Sequence, residues 1–260
     1  MTELFPAIGE ADASGETAAI FADIRSTVGV RVVNLVWRHL ATIDGALPWA
    51  WQAVRPLYLA GLPDQAARRF RHTMTPLRLS GLDSPQPTSV DAVLASYDHS
   101  NTINLFALGA LIAWLREERD AGAPLLGGER LPVPDVALPK LATQQDVSAG
   151  TWGLVLRLNR FGDSPQPLIL ASMYRHLAHA PAFLARVEAS LKPLHDSGAL
   201  RRAIDVNLVL AIDLASRLAP SIVADRPRSA DGIEASLTAF RDHAIGKMVT
   251  ICRAIRMARA

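Results

Sequence analysis

The chain has 260 residues, half of them apolar, and a formal net charge of only +2. That is enough apolar material for one large domain or two small ones, and the thinly spread arginines give none of the concentrated basic surface that a nucleic-acid partner needs. The single cysteine, Cys252, excludes an internal disulfide, a zinc knuckle or a dithiol centre and fits a reducing, cytoplasmic setting. The start, Met1 to Pro6, lacks the basic and apolar regions of a secretory signal. The most apolar run, Ile103 to Leu115, is too short to cross a bilayer and reads as a buried core helix.

In chain order, residues 1–12 read as an irregular lead-in. A helix follows from Ser14 to Arg25, with Ser14 able to cap it and Ile20, Phe21 and Ile24 on one face. The spacing of Val33, Val36, Trp37 and Leu40 predicts a second helix from Val30 to Ile43. A third runs from Leu47 to Leu59, with Pro48 tolerated in its first turn and Pro56 expected to stop or kink it. Pro63 to Met74 is amphipathic and rich in arginine. Ser80 to Pro87 is a turn-rich connector. Thr88 to Asp91 resembles a capping box and opens a helix through Ala95 or beyond, and Leu105 to Arg119 is another helix. Between these two lies a polar knot, Tyr97 to Asn104.

The segment from Asp120 to Lys140 breaks the composition. It holds Gly122, Gly127, Gly128 and Pro124, Pro132, Pro134 and Pro139, and it reads as a linker. Helices are then expected at Ser148 to Asn159, Leu168 to Ala178, Pro181 to Pro193, Ala199 to Ala219, Ser229 to Phe240 and Ala244 to Ala260. No stretch alternates with period two between hairpin turns, so the fold class is all-α.

The later series repeats the earlier one. Trp37–Leu57 and Tyr174–Leu194 align without a gap, sharing Arg38/Arg175, His39/His176, Leu40/Leu177, Ala41/Ala178, Leu47/Leu184, Pro56/Pro193 and Leu57/Leu194. A single match at so long an offset is a half-domain used twice rather than a solenoid period. The expected organisation is an N-terminal helical repeat over 1–119, a linker over 120–145 and a C-terminal helical repeat over 146–260. Together they form an intramolecular pseudo-dimer with a small-molecule cleft between the halves.

The polar knot is the first candidate for chemistry. Asp98, His99, Ser100, Asn101 and Asn104 crowd together, and Phe240 to Ala244 echoes them with Asp242 and His243. An aspartate beside a histidine suits general-base work, and both knots are expected to approach one cleft. The bland alternative is helix caps and a surface ion pair at Arg241. His39 and His176 hold equivalent places and are expected to serve the fold through hydrogen bonds at helix ends. His176 and His179 lie one turn apart, but no motif supplies the third ligand that a metal needs. The expectation is therefore no metal and no cofactor, a small-molecule partner, no nucleic acid and no membrane, with a homodimer left open.

Further residues resemble the group I 2-haloacid dehalogenases, the DehI family. They are Ala13 to Thr17, Ala22 to Arg25, Leu40 to Thr42, Leu47 to Trp51, Ser100 to Leu105 and Leu177 to Pro181, in that order. The resemblance implies two all-helical half-domains and a hydrolase that removes halide from short 2-haloalkanoic acids with a water activated by an aspartate. Carried over by position, the family's assisting asparagine falls on Asn101 and a neighbouring tyrosine on Asn104. Its wall positions fall on Val32 and Leu35, a second-half tyrosine on Phe240, and its Ser-Asp pair on Ser172 and Met173.

The catalytic carboxylate is thus replaced by a thioether, which cannot accept a proton from water. A positioned base contributes about 10²–10⁴-fold in rate. Three readings follow. In the first, another carboxylate among Asp98, Asp242 and Asp163 has taken over the reaction. In the second, the protein binds a small carboxylic acid or acts on another small molecule in the same cleft, without dehalogenation. In the third, side chains fill the cleft and the protein is structural or binds a partner.

Overall fold

The fold is all-α. A computed structural model describes residues 5–84, 87–118, 125–133, 137–162, 169–228 and 230–259. The first series is α1 (Gly15–Val28), α2 (Leu35–Leu40), α3 (Ala46–Leu59), α4 (Leu62–Thr73) and α5 (Thr88–Leu115). The second is α6 (Ala149–Arg160), α7 (Ser172–Leu177), α8 (Pro181–Asp196), α9 (Ala199–Ser216), α10 (Ala230–Phe240) and α11 (Gly246–Met257). A 3-10 turn at Ala219–Ser221 follows α9, and a π-helical turn at Arg241–Ile245 joins α10 to α11 without a break.

Several expected boundaries move, each for a local reason. Ser14 stands at the N-cap of α1, but its side chain makes no capping bond. The helix expected over Val30 to Ile43 shrinks to the six residues of α2. Gly29, at φ 76°, ends α1 in the left-handed conformation, and the Val33 N–H is taken by Glu10 Oε1 at 2.9 Å rather than by a helical carbonyl. α7 is equally short. There the Asn159 side chain holds the chain just before it, accepting from the Ala171 N–H at 2.9 Å and donating to the Ile169 carbonyl at 3.2 Å. Pro56 does not end α3, which runs on to Leu59. Pro56 and Gln52 lie on the exposed side, where the carbonyl left without its N–H faces solvent. The capping box does not form at Thr88, because Pro87 occupies the N-cap and no side chain caps the helix.

The largest difference lies in the polar knot. It does not separate two helices; it lies inside α5, which is 28 residues long. From Tyr97 to Ala113 every residue of α5 is buried, and the helix packs against α3, α4, α7, α9, α10 and α11. A helix enclosed on all sides must satisfy each polar group internally. Thr102 Oγ1 donates to the Asp98 carbonyl at 2.6 Å, and His99 Nε2 donates to the Val28 carbonyl at 3.1 Å. Gly109 lets α9 come close, since a β-carbon there would lie 2.6 Å from that of Ala215.

Two apolar cores flank this axle, and each draws on both series. The first combines α1–α4 and the second half of α5 with α10 and residues from Ala211 to Ile222. The second combines α6–α8 and α11 with Leu82 and the first turns of α5, Val90, Val93, Leu94 and Tyr97. The described parts of the segment between the series carry no helix or strand. They are strapped down, with the Gly128 N–H on the Ala60 carbonyl and the Leu131 N–H on Asp64 Oδ1.

Asp98 anchors the arrangement from inside α5. Only 1% of its side chain is exposed, and it pairs with Arg71 of α4 at 3.1 Å and with Arg256 and Arg253 of α11, the last at 3.6 Å. Removing one partner of a buried ion pair leaves the others uncompensated. Asp98→Asn is therefore expected to lower unfolding stability by about 3 kcal/mol, measured as a fall in the denaturant midpoint with unchanged helical circular dichroism.

Candidate functional site: an apolar pocket between the two series

A pocket opens where the two short helices begin. Val32, Val33, Asn34, Leu35 and Val36 line it from the first series, and Ile169, Leu170, Ala171, Ser172 and Met173 from the second. α5 contributes Ser96, Tyr97, Ser100 and Asn101. The π turn and its flanks contribute Phe240, Ala244, Ile245 and Met248, and Leu138 closes one side. About 60 Å³ is open to the centres of water molecules, several times what one water needs. A π turn re-aims the side chains that follow it, and such turns recur at functional sites.

Most of the positions expected from sequence meet here. Val32, Leu35, Asn101, Ser172, Met173 and Phe240 all line the pocket. Asn104 does not; it is fully buried behind the wall. There it accepts from Trp37 Nε1 at 2.9 Å and from the Tyr58 hydroxyl at 2.8 Å, and it donates to Asn34 Oδ1 at 3.1 Å and to the Ser100 carbonyl at 2.7 Å.

The Asp-His pairs of the two knots also stay away from the pocket. On α5 the lining residues 96, 97, 100 and 101 recur at helical spacing, so 98 and 99 point elsewhere. Asp98 is held by arginines, and Asp242 is gripped by its neighbour Arg241 through two bonds, Nε to Oδ1 at 2.6 Å and a terminal nitrogen to Oδ2 at 3.1 Å. Neither carboxylate lines the pocket. Asp163 lies outside the described residues.

Among the described lining residues there is no carboxylate, imidazole, lysine or arginine. The polar groups are Asn34, Asn101, the hydroxyls of Ser96, Ser100 and Ser172, and the Tyr97 phenol, whose ionisation burial pushes well above its usual range. Asn34 and Tyr97 were not singled out in the sequence. Asn34 could have been, as the one polar residue between Val32 and Val36. Among the described residues no group of three or more His, Cys, Asp or Glu is placed to hold a metal ion, and no helix is long and apolar enough to cross a membrane.

The repeated residues support the pocket rather than line it. Arg38 Nε donates to the Ile8 carbonyl at 3.1 Å, and Arg175 Nε donates to the Ala142 carbonyl at 2.8 Å, so each ties its short helix to the chain that leads into its own series. His39 and His176 do not bond helix ends, contrary to expectation. His39 Nδ1 donates to the Pro6 carbonyl at 2.7 Å and its Nε2 meets the Ser236 hydroxyl of α10. His176 Nδ1 lies 2.9 Å from the Tyr97 hydroxyl of α5. The protonated phenol and the imidazole share this hydrogen bond, which ties α7 to α5.

Burial, then Arg175 and His179, lower the pKa of His176 from 6.5 to about 4. Unfolded, this imidazole takes a proton near pH 6.5; folded, it resists until about pH 4. Between those values only the unfolded chain is protonated, so falling pH favours unfolding. Stability is expected to drop between pH 6.5 and pH 4 by on the order of 3 kcal/mol. His99, also lowered by burial, adds to the slope. Urea titrations across this range check it, and His176→Gln is expected to flatten the dependence.

No protein-family model and no curated protein sequence matches the chain. Solved structures do. A D-2-haloacid dehalogenase mutant in complex with D-2-CPA superposes with a TM-score of 0.76, and the crystal structure of a D-2-haloacid dehalogenase mutant with 0.78. A complex of D-2-haloacid dehalogenase with L-LA gives 0.75. Each is 16% identical in sequence, and each match covers 100% of this chain and 97% of the other. The chain has the fold of the D-2-haloacid dehalogenases.

Proposed function

We propose that the pocket binds a small organic molecule, a short carboxylic acid or a related compound, and that it does not carry out hydrolytic dehalogenation. The observation that carries this reading is the lining itself. Met173 stands at the position where the resemblance expects a carboxylate, and no other described lining residue can take a proton from water at neutral pH. Of the three spare carboxylates considered from sequence, Asp98 is engaged with Arg71, Arg253 and Arg256 and Asp242 with Arg241, while Asp163 lies outside the described residues.

Displacing a halide with water needs both a base for the water and a held substrate. The second requirement is met in kind, since apolar walls from Val32, Leu35, Met173 and Phe240 surround the amides and hydroxyls. The first is absent among the described residues that line the pocket. The likeness to D-2-haloacid dehalogenases supports a small-molecule pocket at this place in the fold. The pairing of two series across it supports the reading of residues 1–119 and 146–260 as two copies of one ancestral unit.

Purified protein is expected to release no halide from D- or L-2-chloropropanoate above the rate in buffer. Bound probe is expected to move the methyl resonances of Met173 and Met248, which line the pocket, and to leave those of Met74 and Met257 in place. Halide release that disappears in Asn101→Ala would overturn the reading. So would methyl signals that ignore D- and L-2-chloropropanoate and uncharged four-carbon probes alike.

A further inference from the structure

Four side chains behind and beside the pocket form a chain of hydrogen bonds with only one consistent direction. The Trp37 indole N–H can only donate, and the Ser100 carbonyl can only accept. Asn104 meets both, so its amide has a single orientation: oxygen toward Trp37 at 2.9 Å, nitrogen toward Ser100 at 2.7 Å. The same nitrogen donates to Asn34 Oδ1 at 3.1 Å. Asn34 must then turn its own nitrogen the other way, and it donates to Asn101 Oδ1 at 3.2 Å.

The last amide in the chain is therefore fixed as well. Asn101 lines the pocket and is 6% exposed. Its oxygen is engaged by Asn34, and among the described residues its nitrogen has no acceptor. A donor facing the pocket is satisfied by water or by a ligand that supplies an acceptor there.

We propose that the Trp37–Asn104–Asn34 relay fixes Asn101 as a hydrogen-bond donor into the pocket. The relay thereby selects ligands that present an acceptor atom there, such as a carbonyl or carboxylate oxygen, over ligands that present a donor. This rests on the pocket being a small-molecule site. Asn101 touches the ligand; Asn34 and Asn104 are positioning residues. Because the relay acts through orientation, its direction is reversible by one substitution. Asn34→Asp replaces the donating nitrogen with an acceptor. Asn101 then has to offer its own nitrogen to the introduced carboxylate and turn its oxygen to the pocket.

The test uses butanone, which only accepts hydrogen bonds, and 2-butanol, which also donates. Binding is followed by the Met173 and Met248 methyl resonances together with the side-chain amide pair of Asn101. In the unmodified protein butanone is expected to shift the Asn101 amide pair. In Asn34→Asp the affinity for butanone is expected to fall about tenfold relative to that for 2-butanol, the scale of one lost hydrogen bond in a buried site. A merely structural role for Asn34 would weaken both probes together.

An unchanged butanone-to-butanol ratio in Asn34→Asp overturns the relay while leaving the pocket reading intact. An Asn101 amide pair that ignores butanone while Met173 responds does the same, without any variant. If neither probe nor 2-chloropropanoate moves Met173 or Met248, the pocket reading fails and the relay as a selector fails with it.

Discussion

The fold turns on one requirement. The part of α5 from Tyr97 to Ala113, buried on every side, carries a band of polar residues from Asp98 to Asn104 that must find partners away from water. The partners come from different elements. Arg71 and Arg256 reach Asp98 from α4 and α11, Val28 at the end of α1 receives His99, and Trp37 and Tyr58 bring α2 and α3 to Asn104. A buried polar group left unpaired costs about 1–3 kcal/mol, so each pairing restricts where its element can sit. Apolar packing supplies most of the stability, but it is tolerant of sliding and rotation. The polar band supplies the register.

That register also shapes the pocket. α2 and α7 are too short to be placed by their own packing, and each is positioned by an arginine, a histidine and a large buried aromatic, Trp37 or Tyr174. Their first turns face one another across the opening, with the mid-section of α5 on one side and the π turn on the other. Nearly every described wall is apolar, and the polar groups among the described lining residues are neutral amides and hydroxyls. Such a lining holds and orients a ligand through shape and one or two hydrogen bonds. It does not by itself provide the proton transfer that a hydrolytic displacement demands.

Much of this was legible in the sequence. Helical spacing placed most of the described helices to within a few residues; the exceptions are α5, expected as two helices, and the places where a polar side chain captured a backbone group. Glu10 on Val33 and Asn159 on Ala171 shortened two helices, and no periodicity reports bonds made from 23 and 12 residues away. The pocket walls at Val32, Leu35, Asn101, Ser172, Met173 and Phe240 followed from the resemblance, which orders positions along the chain. The misplacements came from treating a polar run as a loop. In α5 the run is interior, so its members fan out around the helix, and only Ser100 and Asn101 among those considered reach the pocket. Asn104 points to Trp37 instead, a relation between two elements that a linear reading does not contain.

The repeated Arg-His pair explains how one motif serves both series while the pocket it supports is unequal. Each arginine turns back to the chain leading into its own series, through the Ile8 and Ala142 carbonyls. Each histidine crosses to the long helical stretch of the other, His39 to Ser236 and His176 to Tyr97. The pair is thus a hinge pin: one side chain fixes a short helix at home and the other ties it across the middle. What lies beyond the pins is free to differ. Beside His39 the crossing ends on a serine hydroxyl behind the aromatic ring of Phe240. Beside His176 it ends on a phenol that lines the pocket. The two crossings therefore deliver a ring wall from one direction and a held hydroxyl from the other. One Arg-His pair in the sequence thus serves two chemically different walls of the pocket.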